Sequence, residues 1–237
     1  SLNPIGLRRR DVLMGALAWP ALAAAQTWPA RPIKLIVSFP PGGLIDNMAR
    51  LIGPKLAQEL GQAVVIENKP GAGGNLGAAE AARAPADGYT VTIASVGPIA
   101  INPTLYKDLR FDALVDLVPV VLIADVPNVL VVSPNLPVKN FAEFVAYAKA
   151  KPAGTLNYSS TGTGTSSHLS SFMLMDAIGV NAQHIPYKGA EALNDLIASR
   201  IDFMFATIPS VIAQIKGGKL RAVGITATGR STLTPDI

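Results

Sequence analysis

Apolar positions along this chain follow two alternating periods. Ile33–Ser38 (IKLIVS) is a short, nearly continuous apolar run rich in β-branched residues, the pattern of a buried strand. Directly after it, Ile45, Met48, Ala49, Ile52, Leu56 and Leu60 recur three or four residues apart. That spacing predicts a helix, and Gly61 is placed to end it. Ala63–Glu67, Tyr89–Ala94 and Pro119–Ala124 read as a second, third and fourth strand. Asn128–Ser133 follows as the next, set off by Asp125-Val126-Pro127. The same grammar then restarts. Phe141, Phe144, Val145 and Ala148 mark a helix, Thr155–Ser159 a strand, and Leu169, Phe172, Met173 and Ile178 another helix. A short strand precedes Tyr187, and a helix from about Ala190 to Ser199 leads to strands at Ile201–Phe205 and Leu220–Thr226. Alternating strands and helices predict an α/β fold of mostly parallel sheets with helices on their faces. No short repeat of fixed period occurs, which argues against a solenoid.

The restart divides the chain into two expected lobes, residues 29–124 and 125–229, with 230–237 beginning a return to the first. The Val/Pro-rich stretch 118–137 carries the crossover. Ahead of both lobes, Arg8, Arg9 and Arg10 precede an apolar stretch from Val12 to Leu22, and Ala23-Ala24-Ala25 precede Gln26. This is the order of an export signal, so residues 1–25 are expected to be removed and the mature protein to be periplasmic. The apolar stretch is too short for a membrane span, which needs about 20 residues. Arg9-Arg10-Asp11-Val12-Leu13 also resembles a twin-arginine export motif.

Composition narrows the function. Of 237 residues, 49% are hydrophobic and 15% charged, which suits a packed core rather than a disordered chain. The net charge is +4, and half of it comes from the three arginines and Asp11 of the export segment. No lysine- or arginine-rich run and no basic stripe interleaved with aromatics occurs elsewhere, so nucleic acid is not an expected partner. The chain has no cysteine, which excludes disulfides, thiol catalysis and zinc–thiolate sites. His168 and His184 are its two histidines, too few for a multi-histidine metal site. No cofactor and no catalytic residue is expected.

Three glycine-rich turns stand where strands end: Phe39–Gly43, Asn68–Asn75 and Ser159–Ser167. Each joins a strand to a helix. Free N–H groups and the dipole at a helix start favour an anion, and glycine lets a ligand approach the backbone. Open parallel sheets bind ligands beyond the carboxyl ends of their strands, where these turns lie. The candidate ligand contacts are therefore Pro41, Gly42 and Gly43 in the first turn, and Ser160, Gly162, Gly164 and Thr165 in the third. The hydroxyls of Ser160, Thr163, Thr165 and Ser166 are candidate neutral donors. None of the turns matches a nucleotide-binding signature. Asp46 lies in the first helical turn, where it complements the dipole, fixes the Gly42-Gly43 loop or meets a ligand. His168 after Ser166-Ser167 orients its neighbours, or serves as a base to them in a hydrolase, although no G-x-S-x-G elbow exists. Tyr187 and Gly189 flank Lys188 in a turn that reaches the cleft or stays on the surface. Ser95, just after the third strand, completes the candidate set.

These segments together resemble the tricarboxylate-transporter receptor family, the TctC or Bug-type periplasmic binding proteins. The resemblance runs through WPARPIKLIVSFPPGGLIDNMARLI, VVIENKPGAGGNLGA, PADGYTVTIAS, NPTLYKDLRFD, LNYSSTGTGTSSHL, HIPYKGAEALNDL and GGKLRAVGITATGR. It implies a two-lobed periplasmic-binding-protein fold closing around a small carboxylate, such as a di- or tricarboxylate or an aromatic acid. Backbone amides, hydroxyls and waters would hold it, with the Pro41–Gly43 loop facing the Ser160–Thr165 turn and Tyr187–Gly189 nearby. The implied partner is the membrane permease of a tripartite transporter, or a signalling protein. Family members run on past the position of Ile237, so the first lobe is expected to be incomplete. The position of Ala206 is often acidic in that family, and alanine there argues against an amino-acid ligand. A periplasmic ligand sensor or a hydrolase on the same scaffold is the alternative reading.

Overall fold

The computed structural model describes residues 27–189 and 191–231. The expected export segment, Ala190 and residues 232–237 lie outside them. Two sheets form. The first is built from β1 (Ile33–Val37), β2 (Val64–Asn68) and β3 (Thr90–Ile93), with α1 (Leu44–Leu60) and α2 (Asn75–Ala82) between them. Its order is β2-β1-β3 and both pairings are parallel. A π-helical turn at Gly97–Ile101 then runs into α3 (Asn102–Leu105).

The second sheet comprises β4 (Asn128–Val132), β5 (Leu156–Ser160), β6 (Ala182–Pro186), β7 (Phe203–Thr207) and β8 (Arg221–Ile225). The helices α4 (Phe141–Ala150), α5 (Ser166–Ala177), α6 (Glu191–Ile197) and α7 (Ile208–Lys216) connect them. The order is β6-β5-β7-β4-β8. β5 is parallel to β6 and β7, while β4 is antiparallel to β7 and β8.

The sequence explains the strongest elements. β4 (NVLVV) is buried along its whole length because helices cover both faces of its sheet. Leu130 and Val132 join Phe144, Leu156 and Phe203 on one side, while Val129 and Val131 join Leu196, Met204 and Val211 on the other. The first sheet has a smaller core around Leu35, Val37, Ala49 and Ile93. α1 ends where Gly61 turns left-handed (φ 65°). α4 starts with a reciprocal cap: Asn140 accepts the Glu143 N–H, and Glu143 accepts from Lys139 N–H and the Asn140 amide.

One predicted element is absent. Residues 118–127, which include Pro119–Ala124, form no strand. Val118, Val120, Val121 and Leu122 are each more than three-quarters exposed. An apolar β-branched run becomes a strand only when a neighbour accepts its ladder bonds, and among the described residues none pairs with it. The strand expected from Ile201 begins at Phe203 and extends to Thr207.

Candidate functional site

The topology itself points to a site. Ligands of open parallel sheets bind at the carboxyl ends of strands whose connections depart in opposite directions. In the first sheet β2 and β3 lie on opposite sides of β1, and in the second β6 and β7 lie on opposite sides of β5. Ser38 and Ser95 follow β1 and β3, and Ser159 and Ser160 close β5. The hydroxyls of Ser38, Ser95 and Ser159 are buried and have no protein partner.

The loop after β1 is held by a carboxylate. Asp46 is 1% exposed. Its Oδ2 accepts the Gly42 N–H (2.9 Å) and Arg50 Nε (2.8 Å), and its Oδ1 accepts from the Asn68 amide (2.8 Å). Asn68 also donates to the Phe39 carbonyl (3.0 Å). Arg50, with help from the Gly42 N–H and Asn68, holds the Asp46 carboxyl down at about 2 against the opposing effect of burial. Of the roles open to Asp46, the structure gives it loop fixation. Gly42 sits at φ 83°, a conformation that requires glycine. Gly43 caps α1 in an extended conformation, leaving the Leu44 and Ile45 N–H groups without intrahelical acceptors.

The turn after β5 is similarly self-contained. Thr165 caps α5: its hydroxyl donates to the Gly162 carbonyl (2.7 Å) and accepts the His168 N–H (3.4 Å). The Ser160 hydroxyl donates to the same carbonyl (3.1 Å) and lies 2.7 Å from His184 Nε2. These hydroxyl protons are thus engaged inside the turn, and the Ser166 and Ser167 N–H groups remain as donors at the start of α5. Ser167 itself is buried, and its hydroxyl donates to the Phe205 carbonyl rather than to His168.

Beneath the turn lies an aromatic stack. His168 and His184 stack with centroids 4.0 Å apart, and Tyr158 stacks on His184 at 5.0 Å and on Phe203 at 5.4 Å. His168 Nδ1 accepts the Gly164 N–H (3.3 Å), so its own proton resides on Nε2. Burial lowers the pKa of His168, and burial together with His168 pushes His184 down to about 4. In the unfolded chain each titrates near 6.5, at about the ordinary value. The unfolded chain therefore takes up protons first, so this stabilisation is full above that value and is lost as pH falls toward 4. Urea midpoints should drop between pH 7 and 4.5, and His184→Gln should flatten the slope. Equal native midpoints at the two pH values would contradict the assignment.

The loops of the two sheets converge. A Cβ on Gly189 would lie 3.4 Å from Pro40 Cγ, and one on Gly162 would lie 3.5 Å from Gly73 Cα. Tyr187 ties the two second-sheet turns together, its N–H donating to the Ser160 carbonyl (3.0 Å). Its hydroxyl donates to Asp195 (2.6 Å). Pro41–Gly43 and Ser160–Thr165 are therefore linked through Pro40, Gly189 and Tyr187. Sequence reasoning missed Tyr158, His184, Asn68, Asn102 and Tyr106. His184 carried no local signal: only the register of two adjacent parallel strands in the fold sets it opposite Tyr158. Among the described residues no group of three histidine, aspartate or glutamate side chains is placed to hold a metal ion.

Comparison with known proteins gives this geometry its context. The model of the family described as "Tripartite tricarboxylate transporter family receptor" matches residues 48–237. A UPF0065 protein of Bordetella pertussis is 40% identical over 237 residues, covering 100% of this chain and 73% of that protein. Three solved structures superpose with TM-scores of 0.82. The periplasmic binding protein BugD is 36% identical, covering 89% of this chain and 70% of its own. A Rhodopseudomonas palustris protein with adipate, Rpa4515, is 37% identical, covering 86% and 68%. MatC from Rhodopseudomonas palustris, with bound malate, is 32% identical, covering 89% and 71%.

Proposed function

This chain belongs to the tripartite tricarboxylate transporter receptor family, and on that footing we propose that it captures a small dicarboxylate for a membrane permease. It is a periplasmic solute-binding protein of the TctC and Bug type. In this reading residues 29–124 and 125–229 act as two lobes, and the ligand lies between the Pro41–Gly43 loop and the Ser160–Thr165 turn. The observation that carries the reading is the pair of long helices, α1 and α5, that start at the carboxyl ends of strands in different sheets with first-turn N–H groups free. An anion bridging them gains charge-assisted bonds from both only when the lobes close, so it favours closure. The adipate and malate held by the two relatives support a dicarboxylate.

Gly43, Ser95 and the start of α5 contact the ligand in this proposal. Asp46, Ser160, His168 and Tyr187 shape the loops that do so, while Gly42, Gly162 and Gly164 supply their left-handed turns. Capture without turnover is supported by the position of the close serine–histidine pair, Ser160 with His184, whose serine is wholly buried. The Ser167 hydroxyl of the hydrolase alternative is engaged by a core carbonyl. Among the described residues no helix is long and apolar enough to cross a membrane.

Thermal shift and calorimetry with malate, adipate and citrate test the reading. Gly43 has an ordinary negative φ of −78°, and a Cβ there would lie 3.6 Å from the Pro40 carbonyl, so Gly43→Val should fold. It should nevertheless weaken dicarboxylate binding at least tenfold, because its branches occupy the mouth of α1. Thr165→Ala removes the cap of α5 and should cost about 1 kcal/mol of stability, and it should weaken binding by loosening the Ser166 and Ser167 N–H groups at the start of that helix. Unchanged affinity in both variants would rule the site out.

A further inference from the structure

The Ser160–Thr165 turn makes a second set of contacts, with the segment that follows β3. The Tyr106 hydroxyl, at the end of α3, donates to the Thr163 carbonyl (3.1 Å), joining residues 57 positions apart. Around that bond the two backbones meet with no room for side chains. A Cβ on Gly73 would come within 2.2 Å of the Thr163 carbonyl oxygen, and one on Gly97 within 2.8 Å of the Gly164 carbonyl oxygen. A Cβ on Gly164 would lie 1.8 Å from Asn102 Oδ1. Asn102 is itself wholly buried and donates to Asn75 Oδ1 (2.6 Å).

We propose that this seam is an interlobe latch, with Tyr106 as the positioning residue that holds the Thr163 carbonyl and so favours the closed arrangement before any ligand arrives. The inference rests on the two-lobe reading and adds to it a closing contact independent of the ligand. The seam joins the β3–α3 segment to the turn after β5, so it must break when the lobes separate. On the second-sheet side it presents carbonyl oxygens, which repel an anion and leave the N–H groups of α5 to the ligand. A binding-competent state that is already populated raises apparent affinity, because the ligand need not supply the whole closing free energy.

The absence of cysteine allows a direct test. Leu51 on α1 and Phe172 on α5 are exposed (68% and 54%), so Leu51→Cys with Phe172→Cys gives one spin-label pair across the lobes. Without ligand, the distance distribution should be dominated by a short, closed component. Tyr106→Phe keeps the ring and removes the bond, and Gly97→Ala pushes the seam apart at a residue without a left-handed backbone. Both should transfer population to longer distances. Tyr106→Phe should also weaken malate binding about three- to tenfold, mainly through faster dissociation. Distributions unchanged in both variants overturn the latch, whatever malate does. Should Gly97→Ala fail to fold, Tyr106→Phe decides alone. Failure of the native sequence to bind malate strikes at the ligand reading instead, and the distances alone then decide the latch.

Discussion

Cutting Phe203 back to alanine is expected to lower the unfolding free energy by about 3–5 kcal/mol, the cost of emptying a large site in a packed core. Phe203 is wholly buried, with its ring edge-on to Phe144 at 5.1 Å and 71°. The consequence reaches the site because the rings form a continuous column. Phe203 supports Tyr158, Tyr158 supports His184, and His184 supports His168 beneath the Gly162–Thr165 turn. Loss of the bottom ring leaves Tyr158 free to sink, and the histidines gain access to water. The urea midpoint should fall with the slope unchanged. The His184 proton resonance should titrate closer to its ordinary value than to about 4. A loss of less than about 1 kcal/mol would mean that neighbouring side chains collapse into the space and that the column is not a support.

The sequence exposed those features whose cause is local. β1 followed by an amphipathic helix ending at Gly61 was legible because strand pattern, helical period and terminating glycine all agree within one segment. The glycine turns were legible because left-handed positions such as Gly42, Gly162 and Gly164 leave few other residues to choose from. Pro119–Ala124 was misread because its apolar pattern is that of a strand, whereas the neighbour a strand needs is a property of the tertiary fold. The histidine pair was hidden for the same reason. His168 and His184 meet because α5 packs over β6, and nothing between them in the chain marks the encounter. The hydroxyl donors were half legible. Ser and Thr at a helix start predict a cap, and capping is what engages Thr165, so the same hydroxyl is not left for a ligand.

Replacing Asp46 by asparagine should remove about 2–3 kcal/mol of stability and at least a tenfold share of dicarboxylate affinity, although the residue touches no ligand in the proposed site. Its two oxygens serve three donors: Gly42 N–H and Arg50 on one, Asn68 on the other. An amide has one oxygen. In either orientation its NH2 group faces a donor, so Asn68 or the Gly42–Arg50 pair loses its acceptor in a buried place. The Gly42 N–H then no longer anchors the loop that sets the direction of α1, and the free N–H groups at its start lose their fixed aim. The pH dependence separates this effect from that of the histidines. The Asp46 carboxyl is depressed to about 2, so its stabilisation is complete above the ordinary carboxylate value of about 3.9 and disappears as pH falls through the folded value. The histidine contribution is lost earlier, between about 6.5 and 4. Stability curves should therefore show Asp46→Asn displaced downward by a constant amount from pH 7 to 5, and converging with the native protein as pH falls from about 4 to about 2. A variant that matches native stability and malate affinity at pH 7 would show that the Phe39–Gly43 loop keeps its shape without the carboxylate.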